Sequence, residues 1–327
     1  MHAILVKRHG GPEVLEYSET ADPKAGPGEL LVRMHAAGVN FIEIYLRTGA
    51  YASTVPYTPG TEGAGIIEQI GPGVTGLKVG DPVASASFRG SYGELGILPA
   101  ERAVLIPKGV PMDVAAGAML QGMTAQYLVR SSFSLQKDQW CLIHAAAGGV
   151  GQLLVRFAKH IGAHVIATVS TEEKAHIAKQ CGADHVIVYG IADFSTEVKQ
   201  LTEGKGAHVV YDGVGKDTVQ RSLASLRTRG MMVLYGAASG PVPTIDVAAI
   251  QKQNLFFTRP ALVAYTATRD ELVLRANEVF QGIKDGWLPV HIDRTFPLHD
   301  AAAAHEYLAA RKTKGKLLLK PSPSAKA

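Results

Sequence analysis

The stretch Ala145-Ala-Ala-Gly-Gly-Val-Gly151 decides the fold of this chain. It closely follows an apolar run at 140–143, predicted to be a strand, and it opens a predicted helix at 152–160. Small residues stand at the three positions of the dinucleotide fingerprint: Ala146, Gly148 and Gly151. Small side chains let a backbone approach a pyrophosphate, and the helix N-terminus supplies N–H donors and partial positive charge. The stretch predicts the first βα unit of a Rossmann fold, and a plain tight βα turn is the alternative.

Strand-like and helical stretches alternate after Met119. Further apolar runs follow at 164–169, 185–188, 208–212 and 231–235. Alternation of this kind predicts a parallel sheet with crossover helices. The runs lack a period of two, as expected for strands that helices cover on both faces.

The two ends of the chain have a different pattern. Short apolar runs cut by Gly and Pro fill residues 1 to about 120, which predicts a compact, mostly antiparallel β domain. A helical stretch at 269–284, an extended run at 290–297 and a final helix at 301–311 are expected to return and complete that domain. The predicted organisation is a first domain part at 1–122, a Rossmann domain at 123–262, a second part at 263–320 and a disordered tail at 321–327.

Composition limits the classes of function. The 327 residues are 46% hydrophobic and 19% charged with a net charge of +4, too mild a charge to predict nucleic-acid binding. The apolar start of the chain is too short for a signal peptide, and no apolar run is long enough for a membrane span. We therefore expect a cytoplasmic protein. The two cysteines, Cys141 and Cys181, are predicted to be buried thiols outside any metal site.

The end of the second predicted Rossmann strand indicates which cofactor is preferred. An NAD-preferring site usually places Asp or Glu here, but this chain has Ser170. Without that carboxylate, Ser170 and Lys174 could bind a 2′-phosphate, which favours NADPH. The alternative is structural: Ser170 caps the next helix, Glu173 reaches back as in a capping box, and Lys174 lies on a solvated helix face.

Six motifs together resemble the medium-chain dehydrogenase/reductase superfamily, and within it the NADPH:quinone oxidoreductases related to zeta-crystallin. They are Gly38-Val-Asn-Phe-Ile-Glu-Ile-Tyr45, Pro59-Gly-Thr-Glu-Gly-Ala-Gly65, Leu120-Gln-Gly-Met-Thr-Ala-Gln-Tyr127, Ala145-Ala-Ala-Gly-Gly-Val-Gly151, Tyr211-Asp-Gly-Val-Gly215 and Thr258-Arg-Pro260. The resemblance covers nearly all of residues 1–320. It implies an α/β fold in which a doubly wound Rossmann sheet is inserted in a GroES-like, mainly β catalytic domain, and it implies a homodimer.

The resemblance also shows that this chain lacks the residues that bind zinc in other members of the superfamily. Zinc-dependent members of the superfamily carry Cys and His where this chain has Asn40 and Thr61, and a third ligand would fall near Gln121. We therefore expect no catalytic zinc.

The resemblance implies a set of site residues. Catalytic positions would be Asn40, Tyr45, Tyr51 and Thr61, and the loop at 47–51 is expected to close over the substrate. Cofactor positions would be Asn40, Thr124, Ala147, Gly148, Gly149, Val150, Ser170, Lys174, Tyr189, Val214, Tyr235, Gly236, Phe257, Arg259 and Lys316. For Asn40 a turn role, and for Tyr235 and Phe257 a core role, are the alternatives. Glu62 is expected to be structural.

The expected activity is the transfer of reducing equivalents from NADPH to quinones, by hydride or by single electrons. Asn40 or Tyr45 would donate hydrogen bonds to a developing oxyanion, and no general acid is evident beyond Tyr45. An NADPH-dependent reductase of activated C=C bonds is the alternative enzyme. From another class, an NADPH-binding RNA-binding or scaffold protein is the alternative, supported only by the basic segment at 311–316.

Overall fold

The computed structural model describes residues 1–191, 193–242 and 244–322, and the chain divides into two units. Unit 1 contains Met1–Leu120, Thr268–Lys284 and the residues from Val290 onward, and unit 2 contains Gln121–Ala267 and Asp285–Pro289. The sequence predicts domain boundaries after residues 122 and 262, and the structure divides the chain after residues 120 and 267. Of the predicted tail, residues 323–327 lie outside the described residues.

The first part of unit 1 is built on a mainly antiparallel sheet. Its elements are β1 (His2–Leu5), β2 (Glu16–Glu19), β3 (Glu29–Val39), α1 (Phe41–Arg47), β4 (Glu62–Ile70), β5 (Pro82–Ser85), β6 (Leu95–Pro99), β7 (Val104–Leu105) and α2 (Met112–Tyr127), which continues into unit 2. Strand β3 pairs antiparallel with β4 and with β6, so it lies at the centre of the sheet.

Unit 2 contains the predicted parallel sheet. Its elements are β8 (Trp140–Ile143), α3 (Gly149–Ile161), β9 (His164–Val169), α4 (Glu172–Gln180), β10 (His185–Val188), α5 (Phe194–Leu201), β11 (Ala207–Asp212), α6 (Val219–Ala224), β12 (Leu226–Leu234), α7 (Val247–Lys252), β13 (Phe256–Thr258) and α8 (Leu262–Tyr265). The strand order is β10-β9-β8-β11-β12-β13, and every pairing is parallel. This is the doubly wound order in which the chain reverses direction beside the first strand of the sheet.

The C-terminal segment completes unit 1, as the sequence predicts. It contains α9 (Arg269–Lys284), β14 (Ile292–Pro297), α10 (Ala301–Ala309) and β15 (Lys316–Lys320). Strand β15 pairs antiparallel with β3, with Leu317 opposite Val39, and parallel with β14. The pairing buries both residues in one hydrophobic cluster and brings the start of β15 beside the end of β3.

Short turns of 3₁₀ helix occur at Pro12–Val14, Ala100–Arg102 and Leu298–Asp300, and a π-helical turn at Leu128–Ser132 follows α2. Within the described ranges, no helix has both the length and the apolar character needed to cross a membrane.

Candidate functional site

The glycine-rich loop of unit 2 joins β8 to α3. Gly148 is the N-cap residue of α3 and has an extended backbone, while Ala145 has a positive φ of 50°. A Cβ atom on Gly151 would lie 2.3 Å from the Ala145 carbonyl oxygen and 2.7 Å from Cα of Ala146. A Cβ on Gly148 would meet only the Ala145 oxygen, at 3.2 Å. Gly151 is therefore required for close packing of helix against loop, whereas Gly148 leaves the outer side of the loop open to a phosphate.

Many of the predicted cofactor residues of unit 2 lie in the segments that follow its strands. A predicted cofactor residue follows each of the six parallel strands. Four come directly after a strand, Ser170 after β9, Tyr189 after β10, Tyr235 after β12 and Arg259 after β13, whereas Val214 is the second residue after β11 and Gly148 the fifth after β8. Because the strands are parallel, their carboxyl ends share one edge of the sheet, where open α/β sheets bind ligands. The sheet thus brings six residues from distant parts of the sequence to one edge.

The other predicted cofactor residues of unit 2 lie in the loop and helix after β8, in α2, and beside β12 and β13. Gly149 and Val150 begin α3, and Ala147 is buried in the loop before it. Thr124 is buried in α2, while Gly236 and Phe257 are half-buried.

The predicted helix cap at Ser170 is wrong. Helix α4 begins one residue later than that prediction requires, with Thr171 as its N-cap. The Thr171 hydroxyl oxygen accepts a hydrogen bond of 3.2 Å from the Lys174 backbone N–H, so Lys174, not Glu173, is the third residue of the helix. Ser170 is exposed at the carboxyl end of β9, and Lys174 is half-buried.

A buried polar network joins side chains at or near the carboxyl ends of these strands. His144 directly follows β8, and its Nδ1 atom is 2.7 Å from the Thr168 hydroxyl and 2.8 Å from that of Tyr189. Its Nε2 atom is 2.9 Å from the Ser222 hydroxyl, which donates to Asp212. Burial lowers the pKa of His144 although Asp212 opposes the shift, so the imidazole is neutral. The network holds the Tyr189 hydroxyl toward the interior of unit 2.

Asp212 fixes the turn after β11. One of its carboxylate oxygens accepts hydrogen bonds from the backbone N–H groups of Val214 and Gly215, at 2.8 and 2.9 Å. The other oxygen accepts from the Thr218 hydroxyl at 2.7 Å. A carboxylate that receives several donors in a buried setting holds its turn rigidly, and here that turn carries Val214.

Unit 1 contains a second buried network, centred on Asn40 at the N-terminus of α1. The Asn40 amide donates to a Glu62 carboxylate oxygen at 2.9 Å and accepts from the Lys316 ammonium at 2.6 Å. Lys316 also forms an ion pair with Glu62 at 2.5 Å, and both side chains are essentially inaccessible to solvent. The other Glu62 oxygen accepts from the Leu120 N–H at 2.7 Å. The structure places Lys316 in this ion pair, and its predicted contact with the cofactor stays a prediction.

Glu43 is a buried acid that the sequence analysis missed. It lies in the first turn of α1 and accepts hydrogen bonds from the Asn40 backbone N–H at 2.9 Å and the Thr61 hydroxyl at 2.9 Å. Burial raises the pKa of Glu43 to about 7, although Lys316 and the Thr61 hydrogen bond act in the opposite direction. The spacing Asn40-x-x-Glu43 is that of a helix N-terminus with a reciprocating Glu, so this signal could have found it.

The predicted aromatic residues of unit 1 lie together. The ring centroids of Tyr45 and Tyr51 are 5.1 Å apart, and the Tyr51 N–H donates to the Tyr45 carbonyl at 3.0 Å. Arg47, the first residue of the predicted substrate loop, is instead the buried last residue of α1. The segment after it therefore folds back onto its own helix, and its closure over substrate stays a prediction.

Comparisons with known proteins agree with this architecture. Residues 26–136 match the family model of the alcohol dehydrogenase GroES-like domain, and residues 149–273 match that of zinc-binding dehydrogenases. A quinone oxidoreductase of Pseudomonas aeruginosa is 44% identical over 97% of this chain and 99% of its own length. A 2-haloacrylate reductase of a Burkholderia species is 42% identical over 98% of both chains.

A solved structure shares the whole fold. The quinone oxidoreductase of Escherichia coli, crystallised in complex with NADPH, has a TM-score of 0.96 and 40% identity, covering 98% of this chain and all of that one. A GroES-like domain combined with a Rossmann sheet defines an oxidoreductase of the medium-chain dehydrogenase/reductase class. Within that class, the chain belongs to the quinone oxidoreductase family.

One matching family model is that of zinc-binding dehydrogenases, but the residues of this chain do not fit a zinc ion. The side chains at the ligand positions of zinc-dependent members are the amide of Asn40 and the hydroxyl of Thr61, whereas zinc prefers thiolate, imidazole and carboxylate ligands. The Asn40 oxygen contacts a buried cation already, the Lys316 ammonium. In the part of the chain that the structure describes, no group of three His, Cys, Asp or Glu side chains is placed to bind a metal ion.

Proposed function

We propose that this chain is an NADPH-dependent quinone reductase that acts without zinc. One observation carries the proposal: a predicted cofactor residue follows the carboxyl end of each of the six parallel strands of unit 2. The family relatives named quinone oxidoreductase support it. NADPH would supply the hydride, and the protein would bind the cofactor, hold the acceptor and provide hydrogen-bond donors.

The loop 147–150 and the N-terminus of α3 would hold the pyrophosphate. Ser170, Lys174 and Tyr189 would surround the adenosine 2′-phosphate, because they follow two adjacent strands and bring no carboxylate to the position where NAD enzymes use one. The Tyr189 oxygen accepts a hydrogen bond from the Thr168 hydroxyl at 2.6 Å, so its own O–H would be the group that donates to the phosphate.

We predict that Lys174→Ala weakens NADPH binding by about 10- to 100-fold and leaves NADH binding nearly unchanged. Loss of one charge-assisted hydrogen bond costs roughly 1.5–3 kcal/mol, and only NADPH carries the 2′-phosphate. Titration of both cofactors by fluorescence measures the ratio, with Lys179→Ala at the other end of α4 as the control variant. Equal weakening of both cofactors would assign Lys174 to the fold.

The acceptor side belongs to residues of unit 1. Asn40, Tyr45, Tyr51 and Thr61 would contact the acceptor. The hydroxyl groups of the last three would donate hydrogen bonds to its developing negative charge, because the Asn40 amide already donates to Glu62 and to the Gly38 carbonyl. Without a metal to polarise a carbonyl, the chemistry favours acceptors that are already electrophilic, such as quinones. Turnover that survives a strong chelator is therefore expected.

A second candidate function is reduction of an activated C=C bond. The relative named 2-haloacrylate reductase favours it, since it is as similar to this chain as the quinone oxidoreductases. Parallel assays with NADPH and a set of quinones and α,β-unsaturated carbonyl compounds distinguish the two, because the better kcat/KM identifies the acceptor class.

We also propose a homodimer joined through the β13 edge of the sheet in unit 2. Strand β13 ends the sheet order, and Phe256 on it is 57% exposed. Sedimentation of the native protein at micromolar concentration should give a dimer, and Phe256→Asp should shift it toward monomer, whereas Val263→Asp, at an exposed position of α8, should not. A native monomer would refute the proposal.

Cytoplasmic location and the absence of nucleic-acid binding complete the proposal. The basic segment 311–316 has less surface charge than its sequence suggests, because the Lys316 ammonium is buried against Glu62. A gel shift that persists at physiological salt would contradict this part of the proposal.

A further inference from the structure

Glu43 is hydrogen-bonded to the hydroxyl group of Thr61. Its side chain is fully buried, whereas Thr61, which contacts it, is partly exposed. The Thr61 hydroxyl is 2.9 Å from Oε1 of Glu43, and the Thr61 backbone N–H lies 3.3 Å from the same atom. The Asn40 N–H donates to the other oxygen, Oε2, at 2.9 Å. The oxygen that faces Thr61 is therefore the one that can exchange a proton with a hydroxyl.

We propose that Glu43 stores the proton for the reduced acceptor and delivers it through the Thr61 hydroxyl. The inference rests on the proposed function, in which Thr61 contacts the acceptor. When Glu43 is protonated, Oε1 donates to Thr61 and the threonine O–H points toward the acceptor. When Glu43 is ionised, the threonine O–H turns back to donate to Oε1. A hydroxyl both donates and accepts, so this reversal carries one proton outward.

The proton transfer completes the reduction. A quinone that receives a hydride, one proton with two electrons, becomes a hydroquinone monoanion. The Thr61 O–H bond breaks as its proton bonds to the anionic oxygen, and the O–H bond of Glu43 breaks as its proton replaces the one lost by Thr61. The products are a neutral hydroquinone, the oxidised cofactor and a Glu43 carboxylate, which then takes a proton from solvent.

The charges around Glu43 keep the proton available near neutral pH. Lys316 on β15, whose charge lowers the pKa of Glu43, is paired with Glu62 on β4, whose charge raises it. Tyr57 and Tyr92 also face Glu43, and its charge contributes to the raised pKa of each phenol. Burial, the largest effect, raises the pKa of Glu43 to about 7. Since the acid form is the donor, the native rate should fall as pH rises through about 7.

The variant that tests the relay is Glu43→Gln, which keeps the side-chain shape and an acceptor for the Asn40 N–H but holds no transferable proton. At pH 6, kcat for quinone reduction should fall roughly 10²-fold, the fall in rate above pH 7 should disappear, and the KM for NADPH should not change. Glu203→Gln, the same change at an exposed carboxylate, is the control.

A second pair of variants tests the hydroxyl. Thr61→Val should lose the same pH-dependent limb, and Thr61→Ser should recover it. Independently of turnover, infrared difference spectra of the protein without cofactor should show a protonated carboxyl stretch that titrates near pH 7. This band should be absent from Glu43→Gln and present in Thr61→Val.

Failure of the relay and failure of the proposed function give different results. If the native protein reduces quinones but folded Glu43→Gln keeps its rate and pH profile, the relay is refuted alone. If the native spectrum and that of Glu43→Gln are identical at pH 6, Glu43 holds no proton and the relay is refuted as well. If the native protein reduces neither quinones nor activated alkenes, the proposed function and the relay fail together.

Discussion

Lys316→Met is expected to lower the free energy of unfolding by about 3–5 kcal/mol, because it leaves the Glu62 carboxylate buried without its cation. The ammonium group forms hydrogen bonds to Glu62, to the Asn40 side chain and to the Val39 carbonyl, and it is 1% exposed. Loss of one partner of a buried pair costs far more than loss of an exposed pair. Equilibrium unfolding in urea, followed by circular dichroism, measures the difference.

The double variant Lys316→Met/Glu62→Gln separates charge from shape. It removes both charges and should recover most of the lost stability, since the remaining carboxamide still accepts from the Leu120 N–H. Lys205→Met breaks an exposed ion pair with Glu203 and should change stability by less than about 1 kcal/mol. If Lys316→Met were no more costly than Lys205→Met, the buried pair between β15 and β4 would not stabilise unit 1.

Gly151→Ala should nearly abolish cofactor binding and also destabilise the protein. The added Cβ would lie 2.3 Å from the Ala145 carbonyl oxygen, so the loop or helix α3 must shift. Such overpacking costs typically 1–3 kcal/mol. Loss of two charge-assisted hydrogen bonds from the loop to a pyrophosphate would weaken NADPH binding by roughly 10²- to 10⁴-fold.

Gly148→Ala is the matched control for Gly151→Ala. Its backbone is extended and its Cβ meets a single atom, at 3.2 Å, so unfolding should change little. NADPH binding should still weaken, because the methyl group would occupy the side of the loop assigned to the phosphates. If Gly148→Ala bound NADPH normally, the pyrophosphate would not lie against this loop.

The pattern of apolar residues in the sequence predicts most of the strands and helices of unit 2 and the long helix α9. The apolar runs at 140–143, 164–169 and 185–188 are strands at those bounds, and helix α9 has the predicted range. These elements are continuous apolar runs or a long helical stretch, so the pattern of apolar residues defines them. Helix starts are harder to predict from sequence, because both Ser170 and Thr171 are residues that commonly cap helices, and the backbone of the structure selects Thr171.

The buried polar networks could not be predicted in the same way. Lys316 meets Glu62 because β15 and β4 both pair with β3, and that register joins residues 254 positions apart. His144 reaches Asp212 through Ser222 because β8 lies beside β11. A sequence shows which residues are polar and near strand ends, but the pairing of their side chains depends on sheet order and register.

NADPH oxidation by the purified protein with a series of quinones, in the presence of a strong chelator and with NADH in parallel, tests the proposed function most directly. The expected result is quinone turnover with NADPH that the chelator does not reduce, together with a much lower kcat/KM for NADH. Absence of quinone turnover despite tight NADPH binding, or turnover lost on chelation, would contradict it.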